Sequence, residues 1–427
     1  MAKQPRLDLI TSGDELLLGI RLNSHVAMIG REIGKHGLAL RRNLTCQDSK
    51  EGIQDAFRCS VANGAEIILI TGGLGPTRDD NTREAIAEGL GLELILDEAI
   101  REHIREWLGR RGVAMTDDHL RQCYVPTGAT VLPNPMGTAP GLFLRDGERQ
   151  IFLLPGPTAE LEPMIRDQVI PKLCSTGICN YDVSYVQLRT CGTGESLVQA
   201  AIAPVLDANP GIDAAFCHSR GIVDVRLSAI DEALSFRDVW AVADECRKAL
   251  GEDFFCYGHD SLAKLIFDHL RAHETTLAVA ESCTGGLLAN AFTDIPGASK
   301  VFVGGFVCYN NDAKVEMLGV PEALIEQHGA VSAECAVAMA DGAAERLSTD
   351  YALSITGFAG PSGGTKDNPV GTIYIGYHSP IGSWCVKMVK PGARVQVKER
   401  AVNRALDVMR RKLAKYQVAE AVVSAAV

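Results

Sequence analysis

The chain has 427 residues, too many for one ordinary core and enough for two or three domains. Hydrophobic residues make up 46% and charged residues 22%, while a net charge of -11 and only 6% aromatics argue against a nucleic-acid binder with a basic face or stacking platforms. No stretch reaches the roughly 20 consecutive apolar residues of a membrane span, and the N-terminus lacks the apolar core of a signal peptide, so a cytoplasmic location is expected.

In chain order, the run 7–11 reads as a strand, 25–35 as a helix, 38–44 as a strand and 53–61 as a helix. The segment AEIILIT (65–71), β-branched and closed by Gly72 and Gly73, is the clearest buried strand, and a helix follows from Thr82. This rhythm predicts a mostly parallel sheet with helices on both faces, closed by a helix over 158–173. Between about 180 and 255 the pattern changes to strands at 183–188, 214–217 and 223–227 with helices at 195–206 and 236–250, a small α+β unit. After Gly-His-Asp at 258–260 the α/β rhythm returns. A helix over 262–269 leads to strands at 276–280 and 301–309. Next come a helix from the N-cap Ser332 to Leu347 and strands at 351–355, 372–377 and 384–389. A last amphipathic helix covers about 395–416. The 13 Cys are spread singly with no CxxC pair, which predicts reduced thiols, and no two His have metal-ligand spacing.

The densest chemistry lies in AESCTGG (280–286). A Ser directly after a buried strand stands at the edge where α/β enzymes build their sites. Thr284, Gly285 and Gly286 suit a tight turn, and the amides of the following helix are expected to hold a phosphate or an oxyanion. A capped helix start would look the same. In GGFVCYNNDAK (304–314) a strand is followed by a helix carrying Lys314 on its first turn. Such a Lys is ordinarily solvated, but a buried one reaching Ser282 can act as a base. In SITGFAGPSGG (354–364) a strand delivers Thr356 to a Gly-rich loop, and Arg394 precedes the last helix. No Ser/His/Asp set is evident here; His328 and His378 stand outside any motif.

These stretches, with GAVS at 329–332 and the PVGT segment, resemble the C-terminal domain of the CinA family over nearly all of 258–415. The resemblance implies an amidohydrolase that converts nicotinamide mononucleotide to nicotinate mononucleotide and ammonia, without a cofactor. Its functional positions fall on Ser282, Ser299, Tyr309, Lys314, Thr356 and Arg394. Ser282 with Lys314 is the economical nucleophile and base; Tyr309 and Thr356 are expected to assist catalysis. Tyr309 would relay a proton or orient Lys314, Ser299 would donate to the carboxamide and Arg394 would bind the phosphate.

In the first segment, TGGLGPTRDDNT (71–82) offers Gly72, Gly73, Gly75 and Thr82 for phosphate recognition, and Asp79 and Asp80 for a divalent cation. SGDELLLG (12–19) adds Asp14 and Glu15 at another strand end. Helix capping is the competing reading of these acids. With NPMGTAPG (134–141) and LLPGPTAELEPM (153–164), these stretches resemble the molybdopterin-binding domain as used in CinA proteins. The resemblance implies a phosphate-rich ligand such as ADP-ribose and a divalent metal. PGPTAE departs from the family's more usual PGVP. The stretches RTCGTGES (189–196) and GIVDVRLSA (221–229) resemble the CinA linker.

The expected organisation is therefore α/β throughout. A molybdopterin-binding-like three-layer domain spans 1–174, a small α+β linker 175–257, and an α/β amidase domain 258–427. A homodimer is expected, with neither membrane nor nucleic-acid partners. A molybdopterin-handling protein and a non-catalytic protein linked to competence or DNA damage are the competing functions.

Overall fold

The computed structural model describes residues 5–177, 185–231 and 233–425, with side chains of the last helix described as far as Ala414. The chain forms two compact units, 1–184 and 185–427.

In the first unit the strands are β1 (Leu7–Ser12), β2 (Leu40–Cys46), β3 (Ile67–Thr71), β4 (Leu94–Leu96), β5 (Tyr124–Pro126), β6 (Thr130–Leu132), β7 (Gly141–Asp146) and β8 (Arg149–Leu154). Six of them form one sheet, ordered β2-β1-β3-β8-β7-β6, and β4 pairs with β5 apart from it. The four strands β2, β1, β3 and β8 are parallel; β7 and β6 close the edge antiparallel. Ile67, Ile68, Leu69 and Ile70 of β3 are fully buried, as a central strand covered on both faces requires. One core lies on each face. The helix expected over 158–173 is interrupted: Thr158–Met164 passes through a π turn at Ile165–Val169 into Ile170–Ser175. Pro163 and Pro171 each lack the amide hydrogen that a continuous helix needs.

The second unit holds two sheets. Strands β9 (Val186–Cys191), β10 (Ile212–Ser219), β11 (Ile222–Ala229) and β12 (Phe254–Tyr257) form an antiparallel sheet ordered β10-β11-β9-β12. The strand expected from 183 begins at Val186, and 183–184 lie outside the described residues. Strands β13 (Leu277–Glu281), β14 (Phe302–Val307), β15 (Tyr351–Gly357), β16 (Thr372–Ser379) and β17 (Gly382–Val389) form the other, ordered β14-β13-β15-β16-β17. Here β14, β13 and β15 are parallel, so their C-terminal ends open on one edge. Cys191, Ile222, Phe255 and Cys256 of the first sheet's subdomain share a core with Leu262, Ile266, Val397, Ala401 and Ala405. The linker and the C-terminal segment are thus packed as one body.

The thiol expectation needs one correction. Cys174 is disulfide-bonded, whereas eleven cysteines among the described residues are free and most of these are buried. A bridge depends on Cα atoms approaching within about 7 Å, which residue spacing does not report.

Candidate functional site

The C-terminal ends of β13, β14 and β15 bring the main candidates together. Ser282 leaves β13, and its amide donates to the Ile355 carbonyl of β15 at 2.9 Å. Lys314 enters from the helix Asn311–Leu318, whose N-cap Asn310 accepts from the Ala313 amide. The Lys314 side chain is 2% exposed. Its Nζ lies 3.3 Å from Ser282 Oγ, 3.1 Å from the Cys308 carbonyl and 3.5 Å from the Asn310 carbonyl. A neutral amine has two hydrogens and one lone pair. The three acceptors suit the three hydrogens of an ammonium; in the neutral form the two carbonyls would take the hydrogens and leave the lone pair for the serine. Burial pushes the Lys314 pKa down, opposed by the nearby Cys335, Cys308 and Cys283.

Glu281 was missed by the sequence reading and changes the chemistry of the turn. Its fully buried carboxylate accepts from the amides of Gly286 and Leu288, both at 3.0 Å, and of Ala289 at 2.8 Å. The expectation that these amides bind a substrate anion is therefore corrected. The helix Leu287–Thr293 already carries an internal anion at its start. An acid one residue before the candidate nucleophile, followed by two glycines, was the available signal. Gly285 and Gly286 hold φ of 63° and 99°, the left-handed region that favours glycine. Thr284 is fully buried, and its hydroxyl has no partner among the described residues.

The other expected groups divide. Arg394 donates to the Gly360 carbonyl at 2.5 Å and to the Tyr309 hydroxyl at 2.6 Å. Tyr309 is 61% exposed and serves Arg394, so its expected contact with Lys314 is corrected. Thr356 gives its hydroxyl hydrogen to the Ala330 carbonyl at 2.8 Å, which leaves it an acceptor only. Ser299 sits in the turn Ala298–Lys300 just before β14, and Phe302 of β14 pairs with Leu277 at the start of β13. The sheet's depth, about 16 Å for five residues, separates Ser299 from Ser282 within this chain.

A Ser, a His and an Asp do meet, contrary to expectation. His378 Nδ1 lies 2.6 Å from Asp341 Oδ1 and 3.1 Å from Ser383 Oγ, and Ser383 also bonds Asp341. Both partners converge on one ring nitrogen. A relay needs them on opposite nitrogens, so this cluster ties the β16–β17 hairpin to the helix Ala333–Leu347.

In the first unit the parallel strands β1, β3 and β8 end on one edge, and the second set of candidates lies in the loops there. Gly72 and Gly73 have φ of 98° and 67°. Thr82 is not free for phosphate: its hydroxyl donates to the Gly72 carbonyl at 2.8 Å and its amide to the Gly73 carbonyl at 3.0 Å. Asp80 caps its own loop, accepting from the Thr77 amide at 2.9 Å and from the Thr77 hydroxyl, against Gly75. Asp79 is exposed. Asp14 is exposed and Glu15 half-buried. Among the described residues no three His, Cys, Asp or Glu are placed to hold a metal ion. The four acids do not fit a shared cation cage. Asp48, which bonds Ser12 Oγ and accepts from the Asp14 amide, and His25, 2.9 Å from Thr71 Oγ1, were missed. Asn134 bonds Glu160 at 2.6 Å, so NPMG and PGPTAE meet despite the unusual second motif.

Residues 259–413 match the family model described as CinA C-terminal domain, and residues 8–174 that described as probable molybdopterin binding domain. A CinA-like protein of Dictyoglomus thermophilum is 37% identical over 413 residues, which are 96% of this chain and 99% of the relative. This chain belongs to the CinA family. A CinA-like protein of Akkermansia muciniphila is 38% identical, covering 96% of this chain and 99% of its own. A putative competence-damage inducible protein of Moorella thermoacetica is 40% identical over 370 residues, 86% of this chain and 89% of its own. The CinA chain is thus an α/β protein with a molybdopterin-binding-like first unit. Among the described residues no helix is long and apolar enough to cross a membrane.

Proposed function

We propose that this CinA protein hydrolyses the carboxamide of nicotinamide mononucleotide to nicotinate mononucleotide and ammonia. The observation that carries the reading is Lys314, buried with Nζ 3.3 Å from Ser282 Oγ. Ser282 Oγ forms a bond to the carboxamide carbon while its proton passes to Lys314. Collapse of the tetrahedral species breaks the C–N bond, and Lys314 returns the proton to the leaving ammonia. Water then cleaves the acyl-enzyme, with Lys314 taking and returning one proton. No cofactor enters these steps. The direct test is ammonia release from nicotinamide mononucleotide by the purified full chain. Silence there, with capture of a pterin, would favour the molybdopterin-handling reading; silence with neither would favour a non-catalytic competence or damage role.

The pH dependence has a definite sign. The base works unprotonated, and burial favours the neutral amine. Activity should rise with pH through an inflection below the ordinary lysine value of about 10.4, then level off. The kcat/KM profile checks this, because it reports groups of the free enzyme. An inflection at the free-lysine value would remove the role of burial.

The loop after β3 in the first unit, with φ of 98° and 67° at Gly72 and Gly73, supports a second reading. We propose that this loop binds a phosphate-rich ligand such as ADP-ribose. Gly72→Ala places a β-carbon 2.7 Å from the Ser12 carbonyl at a φ of 98°. It should abolish ADP-ribose binding by calorimetry while ammonia release from the mononucleotide persists. Unchanged ADP-ribose affinity would exclude this loop.

A further inference from the structure

Glu281 leaves the nucleotide-hydrolase reading with an unplaced charge. A mononucleotide carries a phosphate at the far end from its carboxamide, and the amides expected to hold it are taken by the protein's own carboxylate. The phosphate therefore needs cations elsewhere on the wall of the same site. Arg394 is one, with two of its nitrogens held by Gly360 and Tyr309. It begins the helix Arg394–Ala425, and Lys398 follows it at i+4 on the same face, where side chains are neighbours.

Lys398 is half-buried and makes no hydrogen bond or ion pair among the described residues. Other cations on this helix are committed: Arg400 to the Pro391 carbonyl, and Arg404, Arg410 and Arg411 to Asp407. The Lys398 ammonium lies 3.8 Å from where a β-carbon on Gly285 would stand, over the turn that presents Ser282. Burial raises the Cys283 thiol to about 11, opposed in part by the charges of Arg394 and Lys398. Thr284 of the same turn is fully buried, and its hydroxyl has no partner among the described residues. A half-buried ammonium without a partner among the described residues, over a side-chain-free glycine and one helical turn from a pinned guanidinium, makes a place for a tetrahedral anion.

We propose that Lys398, over the Thr284–Gly285 turn, joins the Arg394 expected from the resemblance in binding the substrate's phosphate group. The subsite rests on the mononucleotide reading for its substrate but not for its chemistry, which inorganic phosphate can probe alone. Lys398 selects phosphorylated substrates, and the Ser282–Lys314 pair performs the hydrolysis.

The test uses the full chain and two variants, Lys398→Gln, which keeps the stem without the charge, and Lys398→Arg. Steady-state ammonia release is compared for nicotinamide mononucleotide and for the riboside that lacks the phosphate. The wild-type preference for the mononucleotide should fall ~10- to 100-fold in Lys398→Gln, the range of one hydrogen bond to a charged group, through KM rather than kcat. Lys398→Arg should recover most of it. Inorganic phosphate should bind the wild type by calorimetry and bind Lys398→Gln more weakly by a similar factor. Equal losses on both substrates, an unchanged preference, or phosphate affinity indifferent to Lys398→Gln would each overturn the subsite. If the wild type released no ammonia from either substrate, the amidase reading would fail. The phosphate titration would still decide the subsite.

Discussion

Ser282→Ala should lower turnover of nicotinamide mononucleotide by at least ~1000-fold, because the carboxamide carbon then has no oxygen nucleophile from the protein. Lys314→Arg should fall as far. A guanidinium stays charged and cannot take the serine proton. Lys314 is 2% exposed, so the larger group is also crowded, and Lys314→Met, apolar and unbranched, separates the two effects. It should keep the fold and still lose turnover. Substrate affinity, measured separately, should change far less than kcat in all three. Near-wild-type turnover in Lys314→Met would make Lys314 a structural residue. Strong activity in Ser282→Ala would favour direct attack by water and reduce Ser282 to part of a turn.

Asp407→Ala should destabilise the second unit by about 3–5 kcal/mol, the cost of breaking a buried charge cluster by removing one partner. Asp407 is fully buried. It accepts from Arg404 at 2.7 Å, Arg410 at 2.7 Å and Arg411 at 2.9 Å. Those arginines reach onward to the linker. Arg410 donates to the carbonyls of Glu252 and Phe254, and Arg411 bonds the Cys191 carbonyl and Asp253. Removing the carboxylate leaves three cations pressed together along one helix. Asp407→Asn, which keeps an acceptor, should lose less. Calorimetric unfolding of the full chain measures the shift, and limited proteolysis should show the linker cut first. An unchanged unfolding transition would mean that apolar packing alone fuses linker to C-terminal segment. The same network bears on a truncation at 258. Such a fragment keeps Ser282, Lys314 and Arg394 but strips Arg410 and Arg411 of their linker partners.

Much of this protein was legible before any tertiary contact was known. The run Ile67–Thr71 closed by two glycines is fully buried in the sheet, and the helix at 236–250 lies where its amphipathic spacing puts it. Ser332 caps its helix through the Cys335 amide as its residue type predicts. These are local facts: periodicity and capping act over a few residues along one element. The approach of Lys314 to Ser282 is of another kind. The sequence named both, but 32 positions separate them, and only the parallel pairing of β13 with β14 carries the helix after β14 to the serine. Occupancy also had to come from the tertiary structure. Glu281 fills the amides expected for substrate, Thr82 and Asp80 spend their hydrogen-bonding capacity on their own loop, and Asp341 and Ser383 meet one ring nitrogen of His378. A residue's type determines what it can donate or accept. Which partner claims that capacity is set by competition among groups far apart in the chain, and only folding brings those competitors within 3 Å.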